Sequence, residues 1–295
     1  MQRMIIHGLL NCASILTMKI SKKYKLIVLM LIIIIIIILF IIIYKLSRKI
    51  NKEHFIIDLS YYEDKIFSQN GEDGIIKKLI ELIYDGDNEN KFYVEFGVED
   101  GNECNTRFLR EKYNWNGLQM DGNYQNDNIN LKQEFITKEN VVDLFIKYNV
   151  PKHINLLSVD IDFNDFYCLK EILNKYKADI IICEYNSTHL PNNDKIIIYD
   201  QNGGWDKTNY FGSSLLSLDK LAKKHNYSLI YCDNKGVNCF FVHNDIIKNR
   251  NFEFKDIGNI DKLYKPPGYY CETNRGHSPD PHNRKYIIFD EAINI

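Results

Sequence analysis

The sequence lacks a surplus of charge of either sign. Its 295 residues include 37 Lys and Arg against 39 Asp and Glu, which gives a formal net charge of −2 at pH 7. A protein that binds nucleic acid through electrostatic attraction carries a basic surface that faces the phosphates. No nucleic-acid partner is therefore expected.

Several familiar motifs are also missing. The seven cysteines contain no CxxC pair, which argues against a zinc or redox site of the usual spacing. Their number is odd, and we expect small buried side chains in reducing surroundings rather than disulfides. The GxGxxG motif of nicotinamide-binding folds is absent. No internal repeat divides the chain.

Polar residues are absent from one long segment. Residues 26–43 are all apolar and lie between Lys25 and Lys45. As a helix they would extend about 27 Å, close to the thickness of about 30 Å of a hydrocarbon core. The flank that follows offers no small-residue cleavage site. The sequence therefore predicts a single-pass membrane anchor, with the lipid bilayer as a partner.

The anchor divides the chain into predicted parts. They are a tail (1–23), a transmembrane helix (24–45), a basic stem (46–64), one α/β domain (65–250) and an irregular, turn-rich C-terminal flap (251–295). Met18 is an alternative start. Lys and Arg balance on the two sides of the apolar segment, so the positive-inside rule does not set its orientation. A cytosol-facing domain is favoured.

Apolar runs of strand length alternate with segments of helical period in the soluble part. The predicted strands are 92–97, 117–121, 154–162 and 178–186, and the predicted helices lie near 73–84, 104–113, 139–148 and 165–176. Alternation of this kind indicates a mostly parallel, Rossmann-like sheet covered by helices. Residues 227–233 and 236–242 flank a short turn and predict a closing antiparallel hairpin. Such a hairpin is typical of class I methyltransferases.

A glycine turn follows the first of these strands. Glu95 lies near the end of the strand, and Gly97 and Gly101 follow it four residues apart. Glycines at this point permit a tight turn and the close approach of a ligand to the backbone. The next strand ends at Asp121, whose carboxylate could accept the hydroxyls of a ribose. Strand, turn, helix, strand and acid together predict a nucleoside site.

Acidic and amide residues follow the next two strands. Asp160 and Asp162 end one strand, and Glu184 and Asn186 end its predicted neighbour. Ligands of open α/β sheets bind at such carboxyl ends. We predict these four residues as the catalytic group. Asp160, Asp162 and Glu184 could ligate Mg²⁺, or one carboxylate could act as the general base. Asn164 or Asp165 could instead simply cap the helix that follows.

Aromatic and amide residues are mixed in the loop before the hairpin. The segments 199–206 and 210–212 combine Tyr, Trp and Phe with Asn, Gln and Asp. Sugar rings stack on aromatic side chains, and their hydroxyls take polar contacts, so an acceptor site is one interpretation. An ordinary surface loop is the other. Among the histidines, which lack metal spacing, His189 is the best candidate for a chemical role.

Taken in chain order, several of these segments resemble one family. SQNGEDG (68–74), VEFGVEDG (94–101), LLSVDIDFND (156–165) and ICEYN (182–186), with the GHSP tail, resemble FkbM-related methyltransferase-like proteins. The resemblance implies a class I methyltransferase fold, S-adenosylmethionine as donor, and an oxygen acceptor on a sugar or glycan. It further implies donor contacts from a set of five residues: Gln69, Glu95, Gly97, Gly101 and Asp121.

The sequence departs from the family pattern at Val98-Glu99 and after Asp121. Two other functions therefore stay open. An apolar strand that ends in Asp160-Ile161-Asp162 behind a membrane anchor also describes a type II glycosyltransferase, whose DxD motif holds a metal against a sugar-nucleotide. A catalytically inactive methyltransferase-like binding protein is the second alternative. The glycosyltransferase alternative leaves the Gly97 turn and Asp121 unexplained.

Overall fold

The computed structural model describes residues 22–50, 56–87, 89–250, 252–269 and 276–295. The chain forms two compact units, Met1–His54 and Phe55–Ile295. In the first unit the apolar segment lies in one helix, α1 (Lys22–Ile50), whose described side chains, at positions 27–43, are all exposed. Within the described part of the chain, no helix is both long and apolar enough to cross a membrane. The transmembrane helix predicted at 24–45 is therefore not confirmed.

The second unit contains the α/β domain. Its helices are α2 (Glu72–Tyr84), α3 (Arg107–Tyr113), α4 (Val141–Lys147), α5 (Asp165–Leu173), α6 (Leu215–Lys224), α7 (Asn244–Arg250), α8 (Ile260–Leu263) and α9 (Phe289–Ala292). Its strands are β1 (Ile56–Ile57), β2 (Phe92–Phe96), β3 (Asn116–Asp121), β4 (Leu131–Gln133), β5 (His153–Val159), β6 (Lys177–Glu184), β7 (Ile196–Ile197), β8 (Tyr227–Cys232), β9 (Asn238–His243), β10 (Glu253–Phe254) and β11 (Tyr286–Ile287).

Seven strands form the central sheet, in the order β4-β3-β2-β5-β6-β9-β8. The pairs from β4 to β6 are parallel, and β9 runs antiparallel to both β6 and β8. The predicted α/β fold, with a mostly parallel sheet and a closing hairpin, is confirmed. The chain moves outward from β2 to β4 and then returns to β5 on the other side of β2. In such sheets this switch point leaves a crevice at the carboxyl ends of the two strands.

Side chains of the sheet alternate between two apolar layers. In β2, Val94 and Phe96 join one core cluster and Tyr93 joins the other. Helices α4, α5 and α6 cover the first face, and α2 and α3 cover the second. Helix α2 contributes apolar residues three and four positions apart, so one stripe of it is buried. Burial on both faces holds the sheet rigid, with the strand ends at its edge.

The predicted C-terminal flap is turn-rich, and its described residues also form short elements. Strand β10 pairs in parallel with β1, and β11 pairs with β7. The guanidinium of Arg284 donates to Asp280 and to Asp206, at N–O distances of 3.0 and 2.5 Å. These contacts attach the tail to the loop that precedes α6. The pairing was not predicted because two-residue strands leave no periodic signal in the sequence.

Candidate active site

The glycine turn after β2 contacts the loop after β5. Gly97 has a φ of +66°, a conformation that favours glycine. A Cβ atom at this position would lie 1.7 Å from the carbonyl oxygen of Asp160. Gly97 also donates its N–H to the carbonyl of Met120 at the end of β3, at 3.0 Å. The absence of a side chain therefore brings three loops together at the crevice.

The carboxylate of Glu95 is a hydrogen-bond acceptor for the segment that leads into α3. It accepts the backbone N–H of Asn105 and of Thr106, each at 2.8 Å, and the Thr106 hydroxyl at 2.5 Å. Burial, opposed by these hydrogen bonds, raises the pKa of Glu95. Glu95 also lines the cleft, and its donor contact stays a prediction. Its hydrogen bonds fix the shape of the turn, a role that the sequence did not reveal.

Asp121 lies at the end of β3 and is 8% exposed. Its two oxygens accept the backbone N–H of Glu99 at 2.9 Å and that of Asn123 at 2.7 Å. A carboxylate has about four lone-pair positions, so two acceptor positions remain. These contacts fix the orientation of the carboxylate beside the glycine turn. Asp121 therefore lines the crevice beside the glycine turn, and its ribose contact stays a prediction.

The crevice consists of two adjoining cavities with volumes of about 420 and 240 Å³. Both are lined by Gly97, Asp121, Asn123 and Asp162. The larger cavity also contacts Gln69, whose side chain is exposed at the mouth. The smaller one is bordered by apolar residues: Phe135, Ile136, Ile161 and Phe163. The crevice therefore has a polar compartment and a more apolar one.

Carboxyl groups are the main ionisable groups that line the larger cavity. Its lining includes six carboxylates, and no Lys or Arg is present among these described lining residues. The six are Glu95, Glu99, Glu103, Asp121, Asp160 and Asp162. Carboxylates lining a cleft attract cations and repel anions. The cavity therefore favours a cationic ligand over one that carries phosphates.

Three carboxylates converge after β5 and β6. One oxygen from each of Asp160, Asp162 and Glu184 lies within 4.8 Å of the others. Burial, together with the negative charge of neighbouring carboxylates, raises the pKa of all three. Glu184 has a buried oxygen, Oε2, without a hydrogen-bond partner. A shared proton or a bound cation would relieve this repulsion.

Asp165, the first residue of α5, is a fourth member of the acidic group. Its Oδ1 accepts the backbone N–H of Ile161 at 2.6 Å, and its Oδ2 is buried without a hydrogen-bond partner. Burial, with a contribution from Asp162, raises the pKa of Asp165 to about 7. The residue at the helix cap itself is Asn164, which makes no side-chain cap bond. Asp165 therefore belongs with the carboxylate cluster rather than with a simple cap.

Asn186 is fully buried and bonds to backbone groups. Its amide nitrogen donates to the carbonyls of Asn209 and Phe211, at 2.8 and 3.0 Å. Its carbonyl oxygen accepts from the backbone and hydroxyl of Thr188. These bonds use both polar atoms of the amide. The geometry favours a structural role, holding the predicted acceptor loop, over the predicted catalytic one.

Aromatic rings from the loop and the tail meet beside Asn186. The ring centroid of His277 lies 4.5 Å from that of Trp205 and 5.4 Å from that of Phe211. His189 packs edge-on against Tyr286 at 4.7 Å, and burial lowers its pKa to about 4. His189 is thus neutral at pH 7. Two aromatic residues of the loop predicted to bind an acceptor, Trp205 and Phe211, therefore pack with His277 of the tail in one aromatic cluster.

Asn238 is a cleft residue that the sequence did not indicate. It begins β9 and is paired in register with Glu184 of β6. It is 3% exposed and lines the larger cavity. Because β9 is antiparallel, its first residue lies at the edge of the sheet where β5 and β6 end. No motif marks this residue, since its position follows only from the pairing of the strands.

Comparison with known proteins adds a distant structural likeness. No family model and no curated protein match the sequence. A solved O-methyltransferase from neocarzinostatin biosynthesis (NcsB1), in complex with S-adenosyl-L-homocysteine and 1,4-dihydroxy-2-naphthoic acid, is similar at 13% identity and a TM-score of 0.29. The similarity covers 59% of this chain and 57% of that one, so the chain spans a little over half of its length. The chain's own strand order shows a mixed α/β architecture with a mostly parallel sheet.

Proposed function

We propose that this chain is an S-adenosylmethionine-dependent methyltransferase that methylates a hydroxyl oxygen. The acidic cleft at the switch point carries the proposal, because it suits a cation. S-adenosylmethionine bears a positive sulfonium and a positive ammonium. A sugar-nucleotide bears a negative diphosphate, which would be repelled by a cavity lined by six carboxyl groups, of which Glu103 alone is paired with a lysine, Lys65, in the described part of the chain. The donor is thus favoured over the ligand of a glycosyltransferase.

The two compartments match the two ends of the donor. Asp121 would accept the ribose hydroxyls, and the Gly97 turn would admit the donor close to the backbone. The apolar compartment beside Phe135 and Phe163 suits an adenine ring. The acidic compartment, with Gln69 at its mouth, suits the amino-acid end. Gly101 has a φ of +77° and completes the turn.

The carboxylate cluster supports the chemical step. Methyl transfer requires alignment of the acceptor oxygen and removal of its proton. The raised pKa of Asp160 and of Glu184 increases the affinity of each carboxylate for a proton, which favours a role as general base. The three converging oxygens and the unpartnered Glu184 Oε2 also fit Mg²⁺. A bound divalent cation would lower the pKa of the acceptor hydroxyl.

The family resemblance and the aromatic cluster support a sugar or glycan acceptor. Trp205 and Phe211 lie on the loop, and His277 on the tail, that follow the carboxylate cluster in sequence. Sugar rings stack on such side chains. Asn186 holds the backbone of this loop in place. The acceptor would enter from this side, with its hydroxyl directed to the carboxylates.

Calorimetry with two ligands tests the proposed function. We expect the chain to bind S-adenosylhomocysteine and not a uridine-diphosphate sugar. The opposite preference would establish the glycosyltransferase alternative. A folded chain that binds neither ligand would instead support a binding protein without this chemistry.

Turnover measurements test the role of the cluster. Asp160→Asn and Glu184→Gln should each reduce turnover about 10²-fold, the scale of general-base loss, with donor affinity nearly unchanged. Asp143→Asn, at an exposed position on α4, is the matched control. Loss of activity on chelation, reversed by Mg²⁺, would add the metal to the mechanism. Full activity in both Asp160→Asn and Glu184→Gln would exclude the carboxylate cluster from the chemical step.

We also propose that α1 anchors the chain in a membrane, with the α/β domain facing the cytosol. The apolar sequence at 26–43 and the exposed apolar side chains at 27–43 support this proposal. The full chain should float with lipid vesicles, and a chain without residues 1–54 should not. Ile35→Arg should weaken insertion by about 2.5–3.5 kcal/mol. Protease protection of the domain in sealed vesicles would report its side, and a full chain that stays in the aqueous fraction would contradict the anchor.

A further inference from the structure

The orientation of the Asn238 amide is fixed by a buried carboxylate. The side-chain nitrogen of Asn238 donates to Oε1 of Glu72 at 2.9 Å. Glu72 is fully buried at the start of α2, and its carboxylate also accepts the backbone N–H of Asn70 at 2.8 Å. A reversed amide would direct its carbonyl oxygen at this carboxylate, which is repulsive. The nitrogen therefore faces Glu72.

The oxygen of the same amide has no partner among the described residues. Oδ1 of Asn238 is buried without a hydrogen bond, on a side chain that lines the acidic cavity. Buried carbonyl oxygens in proteins are nearly always hydrogen-bonded. The side chain is thus held as an acceptor for a donor group that the protein itself does not supply.

The surrounding charge indicates which donor group fits. The cavity is lined by carboxylates, including Glu95 and Asp160, so the donor should be cationic. On S-adenosylmethionine the sulfonium carries no hydrogen on sulfur, whereas the α-ammonium carries three N–H bonds. The oxygens of Glu95 are already bonded to the α3 segment. Asn238 therefore supplies an acceptor that Glu95 does not.

We propose that Asn238, held by Glu72, binds the α-ammonium of the methyl donor through its side-chain oxygen. The proposal rests on the proposed function and adds the residue that recognises the amino-acid end of the ligand. This role links β9 and α2 to a site that the sequence assigns to the turn after β2. A divalent cation held with Glu184 is the competing ligand for the same oxygen.

Two ligands that differ in the amino-acid end test this assignment. S-adenosylhomocysteine has the α-ammonium, and 5′-deoxy-5′-methylthioadenosine keeps the adenosine and the sulfur but lacks the amino acid. Affinities are measured by calorimetry on the full chain in detergent, with EDTA present. Asn238→Leu, which keeps the branching of the heavy atoms and removes both polar groups, should weaken S-adenosylhomocysteine about tenfold or more, because a hydrogen bond to a charged group is lost. Binding of the truncated ligand, 5′-deoxy-5′-methylthioadenosine, should change less than about twofold, because it has no ammonium whose hydrogen bond could be lost.

The control variant is Asn174→Leu, at an exposed position at the end of α5, which should bind both ligands as the unchanged chain does. Retained binding of the truncated ligand shows that the variant site is folded. Should Asn238→Leu not fold, Asn238→Ala is measured in the same way.

Four results would overturn the proposal. Equal losses for both ligands, or no loss for S-adenosylhomocysteine, would exclude the ammonium contact while leaving the methyltransferase function in place. An effect of the substitution that occurs with Mg²⁺ and vanishes in EDTA would assign the oxygen to a metal. An unchanged chain that binds neither ligand would refute the proposed function as well.

Discussion

Replacing Asp165 by Asn changes one of four carboxyl groups that crowd the carboxyl ends of β5 and β6. Asp165 is 1% exposed, its Oδ1 accepts the N–H of Ile161, and its Oδ2 is buried without a partner. An Asn side chain is similar in shape, and its oxygen can keep the bond to Ile161. The substitution therefore removes a titrating group with little change in packing.

The magnitude follows from the raised pKa. The pKa of Asp165 rises from 3.8 to about 7 on folding, chiefly because of burial. Above about pH 4 the unfolded chain loses this proton while the folded chain keeps it, so stability falls as the pH rises toward 7. A tenfold difference in proton affinity corresponds to about 1.4 kcal/mol, which gives about 4 kcal/mol across the whole window. Between pH 5 and 7 the loss is about 2 kcal/mol, because half of the folded chains have already lost the proton at pH 7.

Urea unfolding followed by tryptophan fluorescence measures this effect. Both tryptophans, Trp115 and Trp205, lie in the α/β unit, so the signal reports that unit. In EDTA, the free energy of unfolding of Asp165→Asn relative to the unchanged chain should rise by about 2 kcal/mol from pH 5 to pH 7. Asp143→Asn should show a constant difference. Parallel pH profiles for Asp165→Asn and the unchanged chain would refute a proton held on Asp165.

Three further predictions concern the turn, the donor and the boundary between the units. Gly97→Ala should destabilise the unit by more than about 2 kcal/mol, because the new Cβ would clash with the Asp160 carbonyl. Gly258→Ala, at a φ of +69° in open space, should cost only about 1 kcal/mol. Equal urea midpoints for Gly97→Ala and Gly258→Ala would contradict the clash at Gly97. Asp121→Ala should weaken S-adenosylhomocysteine in calorimetry by about 1.5–3 kcal/mol, and an unchanged affinity would exclude Asp121 from the site. Removal of residues 1–54 should leave the urea midpoint unchanged, because the α/β unit has its own core, and an unfolded product would contradict this independence.

Local pattern predicted most of the central sheet. The strand predicted at 92–97 is β2, and the hairpin predicted from 227 to 242 is formed by β8 and β9. The strand predicted to reach 162 ends at Val159 instead, since the next residues form the acidic loop and Asp162 has a φ of +63°. The helix predicted from 104 begins at Arg107, because Asn105 and Thr106 bond to Glu95. Element type was therefore predictable, and the ends were set by contacts.

The sequence by itself determined the strands, the turn at Gly97 and the acidic strand ends, because apolar runs, glycines and carboxylates act over a few neighbouring residues. Tertiary structure decided what each polar side chain does. Glu95 fixes the turn, Asn186 holds a loop, and Asn238 faces the cleft through a bond to Glu72, which is 166 residues away in sequence. Hydrogen bonds of this kind depend on which strands become neighbours. That order is set by the packing of two apolar layers on the whole sheet, and no local segment encodes it.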